Sequence, residues 1–276
     1  MGKNRDILQK EDYEEKDCLL CTSTAAKTTI PRQRISAKID GYMEKKDYSA
    51  IDALFDYWLK EARAANDTQG EFFLFNEMLG VCRKCDRKDE AYQIMEKAKR
   101  MIRTESFSET TLASYYINAA TVCTEFHDPN QALNLFSEAE TILEAQTEKD
   151  CFRLASLYNN MAACLSETER YDEAEACYQK ALSYIQKENR NPLEEAITYL
   201  NMLDLLVTRC GLRETDSTRY EELLKKARLC LDDSTVPQDS YYAFVAGKCL
   251  PIYEYFGYFR YVEVLKERIR NIHERT

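Results

Sequence analysis

The chain has 276 residues, 45% of them hydrophobic and 31% charged, with only 7 Gly and 5 Pro. So few turn formers in a helix-favouring mixture exclude a fold of many short strands. A formal charge of -10 disfavours phosphate backbones and anionic lipid surfaces. Neither nucleic acid nor a membrane is expected as a partner, whereas a neutral or basic peptide would not be repelled.

Residues 1–30 are polar and patternless, and read as a flexible leader ahead of a repeat domain spanning 31–276. The opening MGKNRDILQKEDYEEKD has no apolar core segment, so it does not read as a signal peptide. Asp6 stands where a myristoylation site requires Ser or Thr. The 11 cysteines are odd in number and irregularly spaced, which suits reduced thiols in the cytoplasm better than a disulfide scaffold.

From Arg34 onward the hydrophobic periodicity predicts helices in pairs, at 34–46 and 48–66, 69–85 and 88–104, 109–126 and 129–147, 150–168 and 171–188, 192–210 and 216–232, and 238–256 and 258–274. Asp128 before Pro129, and Asn191 before Pro192, place a capping side chain ahead of a proline that needs no amide partner at the first helical position. Pro251, inside GKCLPIYEYFGYF, is expected to kink or end the helix that precedes it. The charged YVEVLKERIRNIHERT suits a terminal cap.

The pairs are copies of one another. On the second helices Ala91, Ala132 and Ala174 are followed four residues later by Met95, Phe136 and Tyr178, and seven later by Ala98, Ala139 and Ala181. On the first helices Tyr116, Tyr158 and Tyr199 recur at intervals of 42 and 41 residues. Small positions let helix backbones approach and large ones fill the groove beside them, so a fixed repeat of this kind predicts an all-α solenoid of about six antiparallel helix pairs.

This pattern resembles the tetratricopeptide repeat (TPR), with an aromatic and a small residue on the first helix (Tyr158, Ala162) and a small-large-small series on the second (Ala174, Tyr178, Ala181). It is clearest from 109 to 188, fainter from 69 to 104 and 192 to 232, and faintest at the ends, where Ile51, Phe55 and Trp58, or Val262, replace the series. The resemblance implies a TPR-like α-α superhelix. The spacing exceeds the usual period of about 34 residues, and in this it resembles the long repeats of kinesin light chains and of bacterial peptide-pheromone receptors.

Asn118, Asn160 and Asn201 each lie two residues after the recurring Tyr. Equivalent positions on the first helices of a solenoid line its hollow side, so the three amides are expected to form a row. Residues three or four away share that face: Ser114 and Thr121, Ser156 and Ala163, Ile197 and Asp204. Asn159 stands beside Asn160, and Asn76 extends the row if one residue is inserted, because alignment on Ala91 and Ala132 otherwise sets Glu77 opposite Asn118. A carboxamide offers both donors and an acceptor, so it can bond a peptide main chain whatever the side chains. The resemblance implies that role for Asn118, Asn160 and Asn201. Equally, an Asn there can tie two helices together or face water.

Two C-x-x-C pairs, Cys18 with Cys21 and Cys82 with Cys85, offer four thiolates. Cys82 precedes Ala91 as Cys123 precedes Ala132, which makes it a repeat core position, so no metal or other cofactor is expected. No nucleophile-base pair or phosphate-cradling glycine loop stands out, and no enzymatic activity is expected. The expected function is that of a protein- or peptide-binding scaffold in the cytoplasm. The alternatives are a standalone peptide-signal sensor, or a homodimer built through the tyrosine-rich segment from Tyr253 to Tyr261.

Overall fold

The computed structural model describes residues 29–187, 191–210 and 217–275. The leader up to residue 28, with Cys18 and Cys21, lies outside them. Among the described residues there are twelve α-helices and no strand. In chain order they are α1 (Arg32–Glu44), α2 (Tyr48–Ala64), α3 (Thr68–Lys84), α4 (Lys88–Thr104), α5 (Glu109–Glu125), α6 (Pro129–Ala145), α7 (Cys151–Glu167), α8 (Tyr171–Ile185), α9 (Pro192–Cys210), α10 (Ser217–Leu231), α11 (Ser240–Tyr255) and α12 (Phe259–His273).

Local chemistry sets the boundaries. Asp47, Asp67, Ser108, Asp128, Asp150 and Asp239 each accept a hydrogen bond from an otherwise unpaired main-chain amide in the first turn of the helix that follows. Asn191 does the same for Leu193 N at 3.2 Å, next to Pro192. Between consecutive helices the chain turns through one left-handed residue at Lys46, Asn66, Asp86, Glu169 and Gly257. The next residue then donates back to the last turn, as Asp67 N does to Ala62 O at 2.8 Å and Arg170 N to Leu165 O at 3.0 Å. Three-residue turns of one geometry therefore recur along the chain.

The packing falls into two compact units, one ending at Phe126 and one beginning at His127. In the first, α3 packs against α2, α4 and α5, and a core of Ile30, Ile35, Ile51, Leu54, Phe55 and Trp58 closes its start. Ile30 is held there by its amide, which donates to Asp67 Oδ2 at 3.1 Å. In the second, α7 packs on α6 and α8, α9 on α8, α10 and α11, and α11 on α12. The expected small-large-small series is buried throughout: Ala91, Met95 and Ala98, then Ala132, Phe136 and Ala139, then Ala174, Tyr178 and Ala181. Alanines with no exposed surface let the backbones close up while the larger residue fills the gap.

Pro251 does not end its helix, since α11 continues to Tyr255. Its missing amide would have bonded the carbonyl of Gly247, and both residues sit where the helix is at least partly open to solvent, so water can take the freed acceptor. The tyrosine-rich segment is turned mostly inward. Tyr253 OH donates to Leu224 O at 3.0 Å and Tyr261 OH to Asp232 Oδ1 at 3.1 Å, leaving Tyr255 and Phe259 as its exposed large residues.

Candidate peptide-binding surface

In the first unit, α3 and α5 bring two of the expected amides together. Asn118 Nδ2 donates to Asn76 Oδ1 at 3.0 Å, and both side chains are half-buried. The one-residue offset that separates Asn76 from the repeat alignment is absorbed in α3, which runs eight residues past Asn76 to Lys84, where α5 runs seven past Asn118 to Glu125. Thr121 Oγ1 donates to Asn118 O at 2.8 Å, so that hydroxyl is engaged by its own helix. Ser114 is half-buried one turn before Asn118.

The second unit holds a cavity of about 350 Å³. Its α7 and α9 sides carry Ser156, Asn160, Ala163, Ile197 and Asn201, all singled out by the repeat spacing. Asn160 Nδ2 reaches Ser156 Oγ only at 3.4 Å, a long bond within the same helix. Asp204 is exposed one turn beyond Asn201 and does not line the cavity.

Asn159 also borders this cavity, but its bonds run elsewhere. Its Nδ2 donates to Thr198 Oγ1 at 3.0 Å, and the Thr198 hydroxyl in turn donates to Glu194 O at 2.8 Å. The Thr198 proton is thus committed, which fixes the Asn159 amide as the donor of the pair. Asn159 Oδ1 is buried without a hydrogen-bond partner. Of the two adjacent amides, one ties α7 to α9 and the other stands in the cavity.

The third wall belongs to α11, and the repeat pattern did not mark it. Tyr241, Phe244 and Lys248 lie along one stripe of that helix, and all three are exposed. The Tyr241 and Phe244 rings stack with centroids 6.4 Å apart, and Lys248 Nζ sits 4.5 Å from the Phe244 centroid. The Tyr241 hydroxyl donates to Glu194 Oε1. Burial, and then the adjacent carboxylate, raise the Tyr241 hydroxyl above the ordinary tyrosine range. A second cavity of about 450 Å³ adjoins the first, sharing Ser156 and Glu194 and flanked by the exposed ring of Phe152.

Behind α7 the recurring Tyr158 does more than fill space. Its ring is stacked on Tyr184, and its hydroxyl donates to Glu140 at 2.8 Å and Glu144 at 3.0 Å. Glu144 also accepts from Tyr184 OH at 2.7 Å and pairs with Lys149 at 3.1 Å. Burial alone would raise the Glu144 carboxyl; hydrogen bonds from Tyr184, Lys149 and Tyr158 outweigh it and hold the carboxyl below its usual range.

Cys82 is buried in the first unit, with burial as the main cause pushing its thiol up to about 12. No cluster of three or more metal-ligating side chains occurs among the described residues. Among them, too, no helix is long and apolar enough to cross a membrane.

Residues 153–213, which run from the first turn of α7 past the end of α9, match the tetratricopeptide repeat family. A comparison with curated proteins gives no match. Among solved structures, BtubC (BKLC) from P. vanneervenii shares the fold with a TM-score of 0.62 and 18% identity, over 74% of this chain and 83% of its own. The family match covers the helices that carry the cavity's polar floor, and the structural likeness extends the fold well beyond them: residues 153–213 match tetratricopeptide repeats, and the chain has an all-α, TPR-like helical fold.

Proposed function

We propose that this protein is an interaction module that holds an extended peptide segment by its main chain. The tetratricopeptide fold is in general a protein-interaction scaffold and generally not an enzyme. The finer reading is carried by one observation, the approximately 350 Å³ cavity whose floor presents Asn160 and Asn201 beside the small residues Ser156 and Ala163. Small side chains leave room for another chain, and carboxamides meet the alternating N–H and C=O of a peptide in any sequence. The existing bond of Asn160, at 3.4 Å to Ser156, costs little to exchange for a ligand. Asn76 and Asn118 offer the same chemistry in the first unit. Repeat spacing of 41 to 42 residues between the recurring tyrosines supports kinship with the long-repeat relatives, where an Asn has this role. The partner segment is neutral or basic, in keeping with the chain's charge of -10, and the protein works in the cytoplasm.

The test is an array of immobilised octapeptides of varied sequence, probed with the wild type and with an Asn160→Ala, Asn201→Ala double variant. Losing two main-chain bonds of about 1 kcal/mol each weakens the bound peptides about tenfold or more, with helicity and Tm retained. Equal binding by both proteins overturns the proposal. A second reading rests on the exposed Tyr255 and Phe259: if the carboxy-terminal end pairs two copies, Phe259→Ser abolishes a concentration-dependent increase in mass by light scattering and leaves peptide binding intact.

A further inference from the structure

The cavity of the second unit carries two charges at separate places, and they have opposite signs. Glu194 stands on α9 at the level of Tyr241, whose hydroxyl it accepts. Lys248 stands seven residues beyond Tyr241 on α11, which is two turns, or about 10 Å, along the helix. Close by, Lys149 pairs with Glu144, and Arg153 with Asp150. Glu194 and Lys248 make no ion pair among the described residues; the first meets only a neutral hydroxyl and the second only the face of Phe244. Beside its amides, the same lining carries the apolar residues Ile197, Leu200 and Phe244.

Resting on the main-chain reading above, we infer that this groove selects a bipolar segment: a cation and an anion separated to match Glu194 and Lys248, whose anchoring positions at Tyr241 and Lys248 lie about 10 Å apart along α11, with an apolar residue between them. An extended chain advances about 3.3 Å per residue, so the two charges lie roughly three residues apart in the ligand. The cation meets Glu194, the anion meets Lys248, and the apolar side chain covers Phe244 and Ile197. Either main-chain direction satisfies this, because the requirement is for separated opposite charges and not for their order. Complementarity of this kind selects among partners mainly by penalising the wrong ones: two cations place one beside Lys248, and two anions place one beside Glu194. The net charge of the whole chain would favour the doubly cationic ligand, so a preference for the bipolar one has to come from the groove.

The experiment uses three blocked octapeptides of one Ser/Gly background with a central Leu, differing only in the two residues three apart: Lys with Glu, Lys with Lys, and Glu with Glu. Binding is read by fluorescence anisotropy. The wild type binds the Lys/Glu peptide about five- to tenfold more tightly than either of the others. Glu194→Lys shifts the preference to the Glu/Glu peptide, and Lys248→Glu shifts it to Lys/Lys. The neutral pair Glu194→Gln and Lys248→Met, which tests the same point with less strain on the Tyr241 contact, removes the preference. Equal affinity of the wild type for all three peptides, or a ranking unchanged by the charge reversals, overturns the inference. If the three bind alike and all weaken in the Asn160→Ala, Asn201→Ala variant, the bipolar inference falls and the main-chain reading stands. If none binds, both fall.

Discussion

The adjacent amides Asn159 and Asn160 are separable by a stability measurement. Thr198 is fully buried, and among the described residues it is the one hydrogen-bond partner of an Asn159 side chain whose Oδ1 lacks one. Thr198→Val keeps the shape but leaves Asn159 with a buried donor and a buried acceptor both unmet, a loss of about 1–3 kcal/mol. Asn159→Leu, by contrast, removes the donor and the orphaned acceptor together while keeping the branch at the γ-carbon. The Thr198 hydroxyl keeps its bond to Glu194 O, so the expected cost is under about 1 kcal/mol and can be negative. The double variant should match Asn159→Leu alone, giving a coupling equal in size to the Thr198→Val loss, about 1–3 kcal/mol. Thermal unfolding followed by far-UV circular dichroism reads this as a drop of about 2–8 °C for Thr198→Val and little change for the other two. An Asn159→Leu loss as large as that of Thr198→Val would refute the reasoning, since the unmet Oδ1 would then carry no penalty.

Gly70 accepts no side chain where it stands, because a Cβ there would lie 2.3 Å from Asp67 Oδ2 and 2.9 Å from Ile30 Cγ1. Gly70→Ala therefore pushes away the carboxylate that holds both Ile30 N and Gly70 N, and costs about 1–3 kcal/mol in the same melting assay. The Glu144 network sets a pH window. The depressed Glu144 carboxyl contributes stability that is present above the ordinary value of 4.5 and lost as pH falls, so Glu144→Gln flattens the acid limb of a Tm-against-pH profile. Tyr184, pushed up to about 12 by burial and by Glu144, contributes stability that is present below the ordinary value of 10.0 and lost as pH rises through about 12, an alkaline limb that Tyr184→Phe removes. In native-state labelling at pH 8 with a maleimide, the half-buried Cys151 and Cys210 react, while Cys82 and Cys249, both buried and with thiols pushed up to about 12, lag by at least tenfold. Comparable rates for all four would contradict this.

Helix pairing was legible because it is written locally. A capping Asp or Asn, a proline at the first helical position and alanines at fixed intervals each act within a few residues, and the boundaries at Pro129 and Pro192 follow from them. The polar floor was legible because repetition marks equivalent positions: Asn160, Asn201, Ser156, Ala163 and Ile197 meet in one cavity. What repetition cannot show is where an individual side chain spends its hydrogen bonds. Asn159 and Asn160 look alike in the chain, and only the position of Thr198, 39 residues away, directs the first between helices. The α11 wall was hidden for a different reason. From Pro192 to Ser240 the spacing stretches to 48 residues, so Phe244 and Lys248 have no counterparts at repeat distance. Pro251 did not end its helix, because Gly247, whose carbonyl loses its partner, is only half-buried and water can serve it.

The measurement closest to the central claim is a spectrum of the side-chain amides themselves. With ¹⁵N-asparagine labelling and assignments from Asn→Ala variants, titration with the Lys/Glu octapeptide should shift the Asn160 and Asn201 NH₂ resonances and leave that of Asn159, occupied by Thr198, in place. Saturable binding that moves neither Asn160 nor Asn201 would mean that the peptide is gripped somewhere else.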